Sequence, residues 1–129
     1  MFKNMYINLP AKELDKSKAF YEAVGFTFSD KHSNDNSRGF MIGDGHFLML
    51  HNHALFHDYS KNPIGDMQKE THAIVTLDVS SVGEVDALVQ KAVAAGGEPF
   101  NEARDYGFMY AHGFKDPDGH IWEIMCIKG

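Results

Sequence analysis

This sequence has only one cysteine, and it has neither basic runs nor long apolar runs. A single cysteine, Cys126, excludes an internal disulfide and is typical of a reducing cytoplasm. Lys and Arg number 12 against 18 Asp and Glu, and the net charge of -6 argues against nucleic-acid binding. No apolar run reaches the length of a membrane span, and MFKNMYINLP lacks the hydrophobic segment of a signal peptide. The sequence therefore predicts a cytoplasmic protein without a nucleic-acid or membrane partner.

The rest of the composition is that of an ordinary globular protein. The chain has 129 residues, of which 43% are hydrophobic and 23% charged. A chain of this length buries about two-thirds of its unfolded surface. We therefore expect one domain over residues 1–129. Histidine is the unusual component, because four of the eight histidines fall between positions 46 and 57.

The first half of the chain alternates between strand and helix patterns. MYINLP (5–10) alternates as a short strand, and KELDKSKAFYEAVGF has a helical spacing that ends at Gly25, a suitable C-cap. FTFS is extended, and GFMI and HFLML flank the turn GDG as a hairpin. Residues 52–70 show no sustained period, although a short helix from Ala54 to Tyr59 is one option. A connection of that length is usually functional or mobile.

The second half shows the same order of patterns. HAIVTLDV (72–79) alternates as a strand, and SVGEVDALVQKAVAAGG opens on serine and closes on glycine as a helix does. EPF is extended, and GFMYAHGF and HIWEIMC flank the turn DPDG as a second hairpin. The order strand, helix and three strands is therefore expected twice.

Letters recur between the halves as well. GFM at 39–41 recurs at 107–109, and DGHFLML at 44–50 recurs as DGHIWEI at 118–124. Self-similarity over such a period indicates a duplicated supersecondary unit. We predict an α+β fold of two tandem βαβββ modules, about 1–53 and 71–129, joined by a connector of about 54–70.

The last predicted strand carries one acidic residue, Glu123. Alternation puts Trp122, Ile124 and Cys126 on one face and Ile121, Glu123 and Met125 on the other. A carboxylate buried there without a partner would cost several kcal/mol. Glu123, which the repeat aligns with Met49, is therefore either functional, or paired with a nearby donor, or partly solvated.

Several motifs occur in one order, among them FYEAVGF, EVDALVQKAVAAGG and DYGFMYAHGFKDPDGHIWEIM. In these the chain resembles the vicinal oxygen chelate superfamily, which includes glyoxalase I, bleomycin-resistance proteins and extradiol dioxygenases. Its motifs are most similar to those of small bacterial predicted lactoylglutathione lyases. The resemblance implies that each module is an incomplete barrel with a helix on its outer face, and that two chains form a homodimer.

The resemblance also implies a metal site. In glyoxalase I, four residues on first and last strands hold a divalent metal, which polarises the substrate while a carboxylate moves a proton. Those positions match Tyr6, Met49, Ile74 and Glu123 here. Only Glu123 is a good ligand for such an ion. His72 would join it if the strand slipped by two residues. A divalent metal (Zn, Ni, Co, Mn or Fe) and no metal are both left open.

The same resemblance suggests a substrate-binding set around Glu123, the residue expected to act as ligand or general base. Tyr6 and Asn8 share the face that lines the family's cavity, as Met49 and Ile74 do, and they either contact the substrate or hydrogen-bond to the partner half. Phe108 and Tyr110 either line this groove or serve as core or dimer-interface aromatics.

One further pattern is His51-x-His53, which on an extended strand would place two imidazoles about 6–7 Å apart. Asn52 and His53 are as well placed in the following loop, in which case both histidines are exposed. The pattern therefore leaves chelation and exposure open.

Two functions remain. One is a glyoxalase-type isomerisation on a metal held partly by Glu123. The alternative is a metal-free protein of the bleomycin-resistance type that sequesters an aromatic or planar small molecule. A ring-cleaving dioxygenase is a weaker third reading, because it needs two histidines and a carboxylate on one iron.

Overall fold

Two four-stranded sheets, each packed against at least one helix, make up the protein in a computed structural model that describes residues 1–129. The chain divides into two compact units, Met1–Gly65 and Asp66–Gly129. No helix in it is long and apolar enough to cross a membrane.

Unit 1 holds four strands and two helices. In chain order they are β1 (Met5–Pro10), α1 (Leu14–Val24), β2 (Thr27–Asn34), β3 (Ser37–Gly43), β4 (His46–His51) and α2 (His53–Ser60). The sheet order is β1-β4-β3-β2, with β1 parallel to β4 and the other pairs antiparallel. Helix α1 ends where predicted, at Gly25, whose positive φ of 118° forms the left-handed C-cap.

Unit 2 repeats this plan with one helix. Its elements are β5 (Ile74–Asp78), α3 (Val82–Ala94), β6 (Glu98–Asp105), β7 (Met109–Lys115) and β8 (Ile121–Ile127). The sheet order is β5-β8-β7-β6, with β5 parallel to β8. The predicted α+β fold of two tandem βαβββ modules is confirmed. Neither sheet closes on itself, so each keeps two edge strands.

The core of each unit lies between its sheet and its helix. In unit 1 the fully buried side chains include Phe20, Tyr21, Phe40, Leu48 and Leu50, and in unit 2 they include Val85, Phe114, Trp122 and Ile124. Burying each such side chain contributes about 1.5–3 kcal/mol. The alternation predicted for the last strand is confirmed, because Trp122, Ile124 and Cys126 are buried.

Two local predictions, for the connector and for the first strand of unit 2, need completion or correction. The connector contains a helix, α2, over His53–Ser60, capped by the Asn52 side chain that accepts from the Leu55 amide. The strand predicted from His72 starts two residues later, at Ile74, so His72 lies outside the sheet.

The GFM recurrence is not a structural equivalence. Gly39 lies inside β3 opposite Met49, whereas Gly107 lies in the turn before β7 with a φ of 88°. The residue that corresponds to Gly39 is Gly113, which lies opposite Glu123 in β7. The equivalence of Met49 with Glu123, taken from the other repeated stretch, agrees with this register.

Candidate functional site

Each sheet has one face packed against α1 or α3 and a second face that we call the open face. In unit 1 the open face carries Tyr6, Asn8, Phe47 and Met49, and in unit 2 it carries Ile74, Thr76, Gly113 and Glu123, as strand pairing and alternation require. The residues predicted for the site therefore fall on two separate sheets.

Glu123 lies in the middle of the unit 2 open face. Strand β8 places it between Thr76 of β5 and Gly113 of β7. The Thr76 hydroxyl donates a hydrogen bond of 3.1 Å to Glu123 Oε1, and the side chain is half-buried. The carboxylate is thus satisfied by one neighbouring hydroxyl and by solvent, and it keeps further lone pairs for a ligand.

The other three positions matched to metal ligands carry no carboxylate or imidazole. Tyr6 is 48% exposed and stacks on Phe47 with ring centroids 4.8 Å apart. Met49 pairs with Asn8 and Gly39. Ile74 is 50% exposed and pairs with Ile121.

These residues do not form a divalent metal site. No group of three or more His, Cys, Asp or Glu side chains in the chain could hold a metal ion. His72 is exposed and precedes β5, and the register of β5 puts Thr76, two residues beyond Ile74, beside Glu123. The slip that would have brought His72 to the position of Ile74 is therefore wrong. Thioether and alkyl side chains do not supply the donors that hard ions need.

A buried hydrogen-bonded chain fixes the amide of Asn8. His51, only 4% exposed, donates from Nε2 to Asn8 Oδ1 over 2.7 Å and accepts from the Ser37 hydroxyl at Nδ1, also over 2.7 Å. Burial lowers the pKa of His51, which favours this neutral form. Because Asn8 Oδ1 accepts from His51, the exposed amide nitrogen of Asn8 is left to donate to a ligand.

The two histidines of the His51-x-His53 pattern have different surroundings. Strand β4 ends at His51, and His53 begins α2. The reading of the pair as one chelating face is wrong. The exposure expected as its alternative holds for His53 but not for His51, which Phe56 and Tyr59 of α2 contact at ring distances of 6.4 and 5.2 Å.

The unit 1 open face carries an aromatic cluster that the sequence reasoning missed. Phe47 lies between Tyr6 and His32, at ring-centroid distances of 4.8 and 5.2 Å. Ser29 and His32 are hydrogen-bonded, with Oγ and Nδ1 2.6 Å apart. Alternation along HFLML, which puts Phe47 with Met49, was the available signal.

Tyr110 does not share the face of Glu123. It pairs with Cys126 on the covered side, and its hydroxyl donates a 2.6 Å hydrogen bond to Asp86 of α3, which raises the Tyr110 pKa. Phe108 lies in the turn before β7, is 65% exposed and contacts the Tyr106 ring at 6.4 Å. The expectation that both line one groove with Glu123 is therefore wrong for Tyr110.

A small pocket of about 50 Å³ adjoins Glu123 in unit 2. Its lining includes Phe100, Asn101, Glu102, Arg104, Tyr106, Ala111 and Gly113. Most of these residues come from β6, which departs from regular pairing between Phe100 and Arg104. A sequence pattern does not show such a bulge, so none of them was predicted.

The chain belongs to the Glyoxalase/Bleomycin resistance protein/Dioxygenase superfamily, whose family model matches residues 5–124. This confirms the resemblance to the vicinal oxygen chelate superfamily. No curated protein matches the chain in sequence.

Solved structures agree with the assignment. The hypothetical protein SA1046 from S. aureus is 29% identical with a TM-score of 0.84, over 98% of this chain and 94% of that one. A glyoxalase-related enzyme from Fulvimarina pelagi is 23% identical with a TM-score of 0.82, over 98% and 88%. The fosfomycin resistance protein FosX from Listeria monocytogenes is 20% identical with a TM-score of 0.72, over 99% and 95%. The last two likenesses show the fold alone.

Proposed function

We propose that this protein binds a small organic molecule on its open faces without a divalent metal, as bleomycin-resistance-type members of the superfamily do. One observation carries the proposal: of the four positions matched to metal ligands, Tyr6, Met49 and Ile74 supply no metal-binding group suited to a hard ion. Glu123 alone then serves as a hydrogen-bond acceptor for the ligand.

The open face of unit 1 suits a planar group. The exposed ring of Tyr6, held by its stack on Phe47, offers a flat apolar surface. Asn8 offers an amide donor whose direction His51 fixes. Met49, which lies opposite Asn8, adds a polarizable contact. An aromatic compound with a carbonyl or ether oxygen matches this combination.

Metal-independent binding is tested by a ligand screen in the presence and absence of a chelator such as EDTA. We expect the same compounds to bind under both conditions, and Tyr6→Ala to weaken aromatic ones. Val75→Ala, a truncation on the covered side of β5, is the control for a general loss of sheet packing. Binding that disappears with the chelator would contradict the proposal.

A second candidate is isomerisation of the glyoxalase type, which the carboxylate at the last ligand position favours. In that reaction Glu123 would take a proton from one carbon of a thiohemiacetal and return it to the next. Turnover of the methylglyoxal–glutathione adduct that depends on added nickel or zinc and vanishes in Glu123→Gln would establish this candidate and remove the first.

We also propose that the protein forms a homodimer in the cytoplasm. Strands β1 and β5 are edge strands, and they expose the apolar side chains of Met5 and Ile74. Exposed edges of this kind pair readily with another chain. Sedimentation equilibrium at micromolar concentration is expected to give twice the chain mass of 14.5 kDa. A monomer over that range would contradict the dimer and leave ligand binding untouched.

A further inference from the structure

The pocket beside Glu123 carries charges of both signs that do not pair with each other. Arg104 and Glu123 line the same pocket, yet neither takes part in any ion pair within the chain. The Arg104 side chain also makes no hydrogen bond, and the Glu123 carboxylate has only the bond from the Thr76 hydroxyl. A guanidinium and a carboxylate left apart in one pocket are suited to a ligand that carries both complementary groups.

The strand between these two charges presents the smallest side chains of the sheet. Arg104 pairs with Ala111 of β7, and Glu123 pairs with Gly113 of the same strand. Because β6 and β8 flank β7, their backbones lie about 10 Å apart. Ala111 and Gly113 therefore form a flat floor between Arg104 and Glu123, and this floor has room for a flat ring.

Gly113 has no room for a side chain. A Cβ built there would lie 2.8 Å from the Trp122 carbonyl oxygen and 3.3 Å from the Phe100 ring. Phe100 and Tyr106 add aromatic surface to the same pocket. Aromatic side chains beside a flat floor favour a planar ligand over a branched one.

A bulge in β6 shapes the rim of the pocket. Between Phe100 and Arg104 the strand has more residues than its partner stretch on β7, and Asn101 has a positive φ of 60°. Asn tolerates this left-handed conformation better than most residues do. The bulge brings Asn101 and Glu102 to the rim and keeps Arg104 on the face of Glu123. Such irregularities often re-aim side chains at functional sites.

We infer that this pocket binds a planar aromatic ligand with an anionic group at one end and a hydrogen-bond donor at the other. Arg104 holds the anionic group, Glu123 accepts from the donor, and the ring lies over Ala111 and Gly113. The inference names the ligand class of the unit 2 open face and rests on the proposed function.

The test uses three related probes followed by NMR chemical shifts of backbone amides in the full chain. 4-Hydroxybenzoate carries both groups, benzoate lacks the donor, and 4-methylphenol lacks the anion. We expect 4-hydroxybenzoate to bind about tenfold more tightly than either of the other two, because each charge-assisted hydrogen bond contributes roughly that factor. The shifts are expected to centre on Arg104 and Gly113.

Two variants separate the contributions. Arg104→Gln is expected to lower the affinity for 4-hydroxybenzoate about tenfold and to leave 4-methylphenol unchanged. Glu123→Met, which places in unit 2 the residue that unit 1 has at the equivalent strand position, is expected to bring 4-hydroxybenzoate down to the level of benzoate.

Glu102→Gln is the matched control, since it removes the other carboxylate that lines the pocket. It should leave the order of the three probes unchanged. Unaltered spectra away from the pocket will show that each variant is folded.

Other outcomes overturn the inference. They are equal binding of the three probes, binding that Arg104→Gln does not alter, and no saturable shift up to about 10 mM, a range in which even weak millimolar complexes form. Shifts confined to Tyr6 and Asn8 would also overturn it while leaving metal-independent binding in place. A chelator-sensitive complex would instead overturn the proposed function itself.

Discussion

Gly113 shows how one residue serves both stability and the pocket. Its missing side chain lets β7 pass close to the Trp122 carbonyl and the Phe100 ring. The equivalent residue of unit 1, Gly39, is as confined, because a Cβ there would lie 2.5 Å from His32 Cβ and 3.1 Å from Met49 Sδ. Both glycines sit opposite the residue at the last ligand position, Glu123 or Met49.

Gly113→Ala should therefore destabilise the protein. The added methyl group meets backbone that cannot move aside, and overpacking of this kind costs about 1–3 kcal/mol. Chemical denaturation measures the free energy of unfolding. Gly83→Ala is the control, because its Cβ would meet nothing closer than Ser81 Oγ at 3.9 Å on an exposed helix, where alanine is favoured by roughly 0.5–1 kcal/mol. Equal stability of Gly113→Ala and wild type would show that the β7–β8 contact is looser than described.

The burial of His51 makes the free energy of unfolding depend on pH. Burial lowers its pKa below the ordinary 6.5, so the unfolded chain binds a proton more readily than the folded one. The free energy of unfolding is therefore unaffected by this group above the unfolded pKa. It decreases as the pH falls below about 6.5 towards the lowered folded value.

Replacing His51 with Gln should reduce the acid sensitivity. The Gln amide can donate to Asn8 and accept from Ser37 but takes up no proton in this range. Denaturation at pH 7.5 and pH 5 (about one unit above and more than one below the ordinary value) is expected to show a smaller loss for the variant than for wild type. His53→Gln, on the exposed start of α2, controls for removal of an imidazole. A steeper loss in His51→Gln would contradict the assigned neutral form.

At the level of elements, the helices follow local chemistry that the sequence already carried. Ser81 caps α3 by accepting from the Glu84 amide, and the Glu84 carboxylate accepts from the Ser80 amide in return. The sequence of α1 shows the same apolar spacing and a closing glycine. Both α1 and α3 could therefore be predicted.

Ser81→Ala should lower the stability of the protein by about 1 kcal/mol, the usual cost of losing an N-cap. Thermal or chemical unfolding measures the loss. Ser80→Ala, next in the chain and without a side-chain hydrogen bond, is expected to change it by no more than about 0.5 kcal/mol. Similar losses in the two variants would mean that the cap contributes little.

Strand positions were predictable only where alternation was clean. The pattern of HIWEIMC assigned Glu123 and Trp122 to opposite faces correctly, because Ile121–Ile127 is one unbroken strand in which successive side chains alternate between the faces. GFMYAH offered no such contrast because Met109 interrupts it, and of the two alternatives for Tyr110 the one that put it in the groove was wrong. The hydrogen bond to Asp86, 24 residues away, is what places its hydroxyl beside α3.

Contacts between distant residues were beyond sequence reasoning for the same reason. The Asn8–His51–Ser37 chain joins residues up to 43 positions apart, and no spacing rule indicates it. The β6 bulge that brings Arg104 to the pocket is likewise a property of paired strands, so the cation of the candidate site was missed.

For the whole molecule, the two units have diverged while keeping one plan. Repeated letters and the order of elements sufficed to predict the duplication, because each unit needs the same covered face. Their open faces are freer to differ: unit 1 carries an aromatic cluster around Phe47, and unit 2 carries Arg104 and Glu123. We propose ligand recognition, rather than metal binding, for both.

The measurement that tests this most directly is elemental analysis of untagged protein purified without chelator, beside the Glu123→Gln variant. We expect no stoichiometric nickel, zinc, cobalt, manganese or iron in either protein. About one metal ion per chain in the wild type, lost in Glu123→Gln, would contradict it and make Glu123 a ligand. The glyoxalase-type reaction would then be the better description.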